Sequence, residues 1–218
     1  MKLIAVLFFL LLADVCEPPA RTWDFEQDVP GEPPKGFYFD TTRDTTDGRW
    51  AILKDGETQV LAQVDRNPSE HRFALAVFRD CSIEDLRLSV RLKAVKGDVD
   101  QTGGIMWRYR NSENYYLLRA DVRERKIRLY RVVNGNRIKF AEERDVNLAP
   151  DTWHLLKVEH KGHTIKAYLD SEMVFKAMDR TFHKPGRIGL WTQADAVTHF
   201  DDLRLEDLDD HDDDDKDH

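Results

Sequence analysis

Leu86-Arg87-Leu88-Ser89-Val90-Arg91-Leu92-Lys93-Ala94 alternates apolar and polar residues without a break. Side chains two apart leave a strand on the same face, so the five apolar residues look one way and Arg87, Ser89, Arg91 and Lys93 the other. That is a half-buried strand. The same period returns where Ile127 and Leu129 alternate with Lys126, Arg128 and Tyr130, and where Ile165, Ala167 and Leu169 alternate with Thr164, Lys166 and Tyr168. Between such runs stand turn signals at fairly even spacing: KDGE (54–57), DRNPSE (65–70), KGD (96–98), RNSEN (110–114), NGN (134–136), KGH (161–163) and HKPG (183–186). Short strands punctuated this way predict an all-β sandwich of two antiparallel sheets with about a dozen to fourteen strands. Asn134-Gly135 supplies the positive φ of a tight hairpin. The expected core includes Leu86, Leu88, Val90, Leu92, Ile127, Leu129, Val158, Ile165 and Leu169.

Outward from this centre the composition changes. Residues 1–13, MKLIAVLFFLLLA, place one lysine before a short apolar run, which is too short to span a bilayer and has the form of a signal peptide. Export to a secreted or periplasmic location follows. Cys16, just behind the run, raises a lipid anchor, although Ala13-Asp14-Val15 fits that cleavage box poorly. EPPA (17–20) and PGEPPKG (30–36) are proline-rich breaks. The expected division is signal peptide and linker over 1–20, one sandwich domain over 21–208, and an acidic tail over 209–218. That tail is too charged and too poor in apolar residues to fold.

The 218 residues suit a single domain, which at this size buries roughly 70% of its unfolded surface. Two cysteines, Cys16 and Cys81, allow at most one bridge and exclude a disulfide framework. The net charge is -8, and the last ten residues, with seven Asp and one Lys, account for six of those charges. No positive field is left to attract nucleic acid or an anionic membrane surface.

Three stretches carry a resemblance: GGIMWRYRNSENYYLLRAD (103–121), DTWHLLKVEHKGHTIKAYLD (151–170) and GRIGLWTQADAVTHFDDLRLEDL (186–208). With RWAILKD (49–55) and VLAQVD (60–65), they resemble the 3-keto-disaccharide hydrolase-like family, a branch of the concanavalin A-like lectin and glucanase jelly rolls. The resemblance implies a carbohydrate partner. Hydrolase members carry a Gly-rich strand ending in Arg, which matches Gly103-Gly104-Ile105-Met106-Trp107-Arg108, followed by a Tyr-Glu-x-Gln strand. Here that second strand reads Tyr115-Tyr116-Leu117-Leu118-Arg119-Ala120-Asp121, without the Glu or Gln. Glycoside cleavage generally needs two placed carboxylates, so Asp121 is the remaining catalytic candidate and enzyme activity stays open. Three readings compete: a carbohydrate-binding or carbohydrate-processing domain, a hydrolase of 3-keto-glycosides or related disaccharides, and a laminin G-like protein-interaction module. A flat apolar sheet face would favour the last.

No Ser-His-Asp set, HExxH motif or Cys/His cluster appears. His154, His160 and His163 are read as half-exposed structural residues. Period two puts Met106, Arg108 and Arg110 on one face of their strand and Ile105, Trp107 and Tyr109 on the other. Arginine beside aromatic rings suits sugar recognition, because rings pack on C–H patches while guanidinium groups donate to hydroxyls. The carbohydrate-binding candidates are Arg108, Arg119, Tyr116, Trp191 and Gln193, with Trp107 and Trp153 read as core. Asp24 and Glu26 of Trp23-Asp24-Phe25-Glu26, together with Asp202 of the final strand, form a candidate site for a structural calcium ion. Oxygen ligands select a hard cation, and meeting of the chain ends at such a site is implied by the resemblance.

Overall fold

A computed structural model describes residues 20–43 and 48–209. The leader, Cys16 and all of the acidic tail except Asp209 lie outside the described residues. Fifteen strands follow one another: β1 (Arg21–Trp23), β2 (Phe37–Thr42), β3 (Trp50–Asp55), β4 (Thr58–Gln63), β5 (Phe73–Phe78), β6 (Leu86–Lys96), β7 (Thr102–Asn111), β8 (Asn114–Asp121), β9 (Lys126–Val133), β10 (Asn136–Arg144), β11 (His154–Lys161), β12 (Thr164–Leu169), β13 (Glu172–Met178), β14 (Arg187–Gln193) and β15 (Val197–Asp207). Among the described residues there is no α-helix.

The strands form two antiparallel sheets. The first runs β13-β12-β11-β6-β15-β4-β3, with β1 added to β15, and the second runs β10-β9-β8-β7-β14-β5-β2. This is the concanavalin A-like jelly roll. The alternating stretch Leu86–Ala94 lies in β6, at the centre of the first sheet, and its apolar residues are fully buried while Arg87, Ser89, Arg91 and Lys93 look outward. Every residue of the expected core is buried. Asn134 and Gly135, with φ of 48° and 72°, make the two-residue turn between β9 and β10.

Apolar side chains also fill the far side of the second sheet. Ile105, Trp107, Tyr116, Leu118 and Leu190 face the first sheet, whereas Phe73, Leu75, Val77, Met106, Tyr109, Tyr115, Leu117 and Trp191 form a separate cluster on the opposite face. The shape of that face follows from one contact. Arg137 of β10 lies 4.1 Å above the ring of Phe73 on β5, although four strands separate them. In a flat sheet five strand spacings would hold them about 24 Å apart, so the sheet curls and this face is concave.

Candidate functional site

The concave face is organised by one cross-strand row. Arg128 of β9 pairs in register with Arg119 of β8, Arg119 with Gly104 of β7, Gly104 with Trp191 of β14, and Trp191 with Leu75 of β5. Gly104 has no side chain, and a Cβ there would sit 2.7 Å from the Leu118 carbonyl and 2.9 Å from Leu117 Cδ1. With Leu117 filling the space over Gly104, the Arg119 guanidinium lies 5.9 Å from the ring centroid of the fully buried Trp191. Phe73 stacks on the other side of Trp191, at 5.5 Å and 18°.

Arg119 Nη2 donates to Asp100 at 3.0 Å and lies 3.1 Å from Asp121 Oδ2, while its Nε is buried with no hydrogen-bond partner among the described residues. Burial pushes the Asp100 carboxyl above its ordinary value, with Arg119 pulling it down and Asp121 pushing it up. The loop carrying Asp100 is fixed by Asp195, whose carboxylate accepts the backbone N–H groups of Asp98, Val99 and Asp100 at 2.7–3.0 Å. Those three donors outweigh the upward pull of burial and hold the Asp195 carboxyl below the usual range. Arg137 closes the groove: its Nη1 donates to Gln193 Oε1 at 2.8 Å, and Gln193 Nε2 donates to the Glu70 carbonyl. Trp191 Nε1 is a further buried donor, and the Tyr115 hydroxyl faces it.

Three of the five sequence candidates therefore meet here: Arg119, Trp191 and Gln193. Arg108 and Tyr116 do not. A β-bulge interrupts the pairing of β7 with β8 between Trp107 and Asn111, and Arg108 adopts a φ of 44°. The extra residue shifts the alternation, so Met106 and Tyr109 share the concave face and Arg108 turns into the protein. There Arg108 donates to the carbonyls of Glu84 and Phe182 and to Asp85 Oδ1. Tyr116 faces the core between the sheets, donates to Asp179 at 2.6 Å and accepts the Phe182 N–H. Asp121 is 2% exposed, with Oδ1 on the Glu124 N–H and Oδ2 on Arg128 and Arg119. Of the other expectations, Trp107 is core, but Trp153 is half-buried on the outer face of the first sheet, with Arg91 and Lys93 over its ring. His154 and His160 are buried, not half-exposed, and His163 is exposed.

The carboxylates expected to hold calcium are arranged differently from the sequence reading. β1 ends at Trp23, so Asp24 and Glu26 lie beyond the strand, Glu26 in a turn, and share no strand face. Asp24 accepts the Glu26 N–H, Glu26 the Gln59 N–H, and Asp202 the Arg91 guanidinium. A bulge in β15 between Asp201 and Arg204, with Asp202 at a φ of 47°, makes Asp201 the buried member, and burial pushes its carboxyl up to about 6. Among the described residues no three His, Cys, Asp or Glu side chains are grouped as ligands for one ion. A melt reads the calcium expectation directly: an ion at a hundred times its dissociation constant adds roughly 2.7 kcal/mol, a rise of about 5–11 °C over excess chelator. Equal midpoints would remove the ion.

No family model matches the chain, and no curated protein does. Solved structures do. The carbohydrate binding module CBM66 from Bacillus subtilis aligns with a TM-score of 0.65 at 22% identity, covering 77% of this chain and 94% of that one. The carbohydrate recognition domain of Emp47p aligns at 0.62 and 12% identity, covering 89% and 99%. A glycoside hydrolase family 16 endo-glucanase from Bacteroides ovatus aligns at 0.62 and 10% identity, covering 85% and 98%. At these identities the shared property is the fold: the chain has the jelly-roll sandwich also used by lectin-like domains, binding modules and glycanases.

Proposed function

We propose that the protein is an exported saccharide-binding domain and that the concave face of its second sheet is the binding surface. The observation that carries this is the layer of arginines on aromatic rings at that face: the half-buried Arg137 guanidinium over Phe73, Tyr130 and the buried Trp191, with Arg119 against Trp191 beside it. Aromatic planes with adjacent hydrogen-bond donors are what a sugar ring requires. Likeness of fold to carbohydrate-binding modules and recognition domains supports the reading.

Binding is favoured over hydrolysis of 3-keto-glycosides because both oxygens of Asp121 are engaged inside the protein. The laminin G-like reading loses its premise, since the outer face of the first sheet is laced with ion pairs such as Arg87 with Glu159 and Glu206, and Arg91 with Asp202. A glycan array with the purified protein tests the proposal. Arg119→Ala should weaken the captured glycan by about 1.5–3 kcal/mol, roughly ten- to a hundredfold. Arg119→Lys keeps the charge beside Asp100 and should still lose most of that affinity, separating recognition from folding. No bound glycan, or full affinity in both folded variants, defeats the assignment. Sugar release from 3-keto-glycosides would restore the hydrolase.

A further inference from the structure

Among the described residues Arg137 has no carboxylate at ion-pair distance; Asp100 faces it from farther away. Arg137 reaches across the groove from the edge strand β10, and its guanidinium is held by rings: Phe73 at 4.1 Å, Tyr130 at 5.6 Å and Trp191 at 5.6 Å. Among the described residues its hydrogen-bonded side-chain partner is the neutral amide of Gln193. Among the described residues no carboxylate lies within 4.0 Å of it, whereas Arg119, Arg128 and Arg131, on the neighbouring strands of the same sheet, each have at least one. A guanidinium offers five N–H donors, and among the described residues one is used. Half-buried placement removes part of its water, and the acid that faces it, Asp100, is paired directly with Arg119. Arg119 beside it adds a second positive charge, and burial together with that charge lowers Arg137's affinity for its proton, to about 10, leaving it charged at neutral pH.

A neutral ligand closing over this group would strip the remaining water and leave the charge without a direct anionic partner, which is costly. A carboxylate would offset the loss and match the planar fork with two parallel hydrogen bonds. We infer that the ligand of the concave face is an acidic saccharide, a uronic acid-containing glycan whose carboxylate pairs with Arg137 while its ring lies toward the Arg119-Trp191 row. The inference rests on the saccharide-binding reading of this face and names the class of sugar.

The test compares oligogalacturonides and alginate oligosaccharides with their carboxyl-reduced counterparts, titrated calorimetrically into the full chain. The acidic forms should bind about ten- to a hundredfold more tightly than the reduced forms, with affinity falling as salt rises. Arg137→Gln should erase the difference between the two forms while leaving the thermal midpoint close to that of the unaltered protein. Arg137→Lys should retain part of the difference. Equal binding of acidic and reduced oligosaccharides overturns the acidic class but leaves saccharide binding standing. Preference for a sulfated, carboxylate-free carrageenan oligosaccharide overturns the carboxylate. Absence of any glycan binding removes this inference and the functional reading together.

Discussion

Arg108→Ala should cost about 3–5 kcal/mol of stability and lower the melting midpoint by about 6–20 °C, the penalty for breaking a buried ion pair from one side in a domain of this size. Arg108 is fully buried and bound to Asp85, which also accepts the Gly162 N–H, so truncation strands a carboxylate inside the fold. The carbonyls of Glu84 and Phe182 lose their guanidinium donor as well. Asp85→Asn provides the complementary half of the cycle. The double variant Arg108→Met with Asp85→Asn should recover part of the loss, because no charge is then left unpaired. Saccharide affinity of the folded Arg108→Ala protein should match that of the unaltered chain, since Arg108 faces away from the concave groove. An intact midpoint with lost affinity would return Arg108 to the binding site.

Arg108 also shows where sequence reasoning reached its limit. Alternation located β6, β9 and β12 and their buried faces, because each is regular along its apolar run and one side of each faces the core. Along β7 the same rule fails at the bulge. One inserted residue exchanges the faces of all that follow, and nothing in Trp107-Arg108-Tyr109 announces it. Tyr116 was separable from Arg119 by counting alone: an odd spacing on one strand puts them on opposite faces, and the structure does so. Trp191 and Gln193, an even spacing apart, stay together.

Other parts of the site had no local signal. Arg137 joins the groove only because the sheet curls β10 toward β5, a product of long-range packing. Asp100 is placed by a carboxylate 95 residues later in the chain, Asp195, which gathers the backbone of its loop. Gly104 was legible as part of a Gly-rich strand, but its role needs the register that sets it between Arg119 and Trp191.

His160 should make the protein acid-sensitive well above the range in which ordinary surface carboxylates titrate. It is fully buried, and its Nδ1 accepts the Trp107 indole N–H at 2.9 Å, which requires an unprotonated Nδ1. The ring lies against Tyr116 at 5.4 Å, its Nε2 is buried with the Gly162 backbone near it, and Arg108 is among the charges that face it, with Asp179 and His163. Burial first, and the Arg108 charge second, pull its pKa down from 6.5 to about 3. Above pH 6.5 the ring is neutral folded and unfolded, and the contribution to stability is fully present. Below that, the unfolded chain takes up a proton that the folded chain refuses until about pH 3, so stability is lost as pH falls through this window. Between pH 7.5 and 4 the loss should amount to roughly 3 kcal/mol, in line with 1.36 kcal/mol for each unit between the two pKa values. His160→Gln keeps an acceptor for the indole N–H but cannot titrate. It should be less stable than the unaltered chain at pH 7.5 by about 1–2 kcal/mol, the size of an imperfectly replaced buried hydrogen bond. By pH 4 that deficit should have vanished or reversed, because only the histidine protein has lost the term. Urea titrations of both proteins at the two pH values measure this, and parallel losses would place the acid sensitivity in the carboxylates instead.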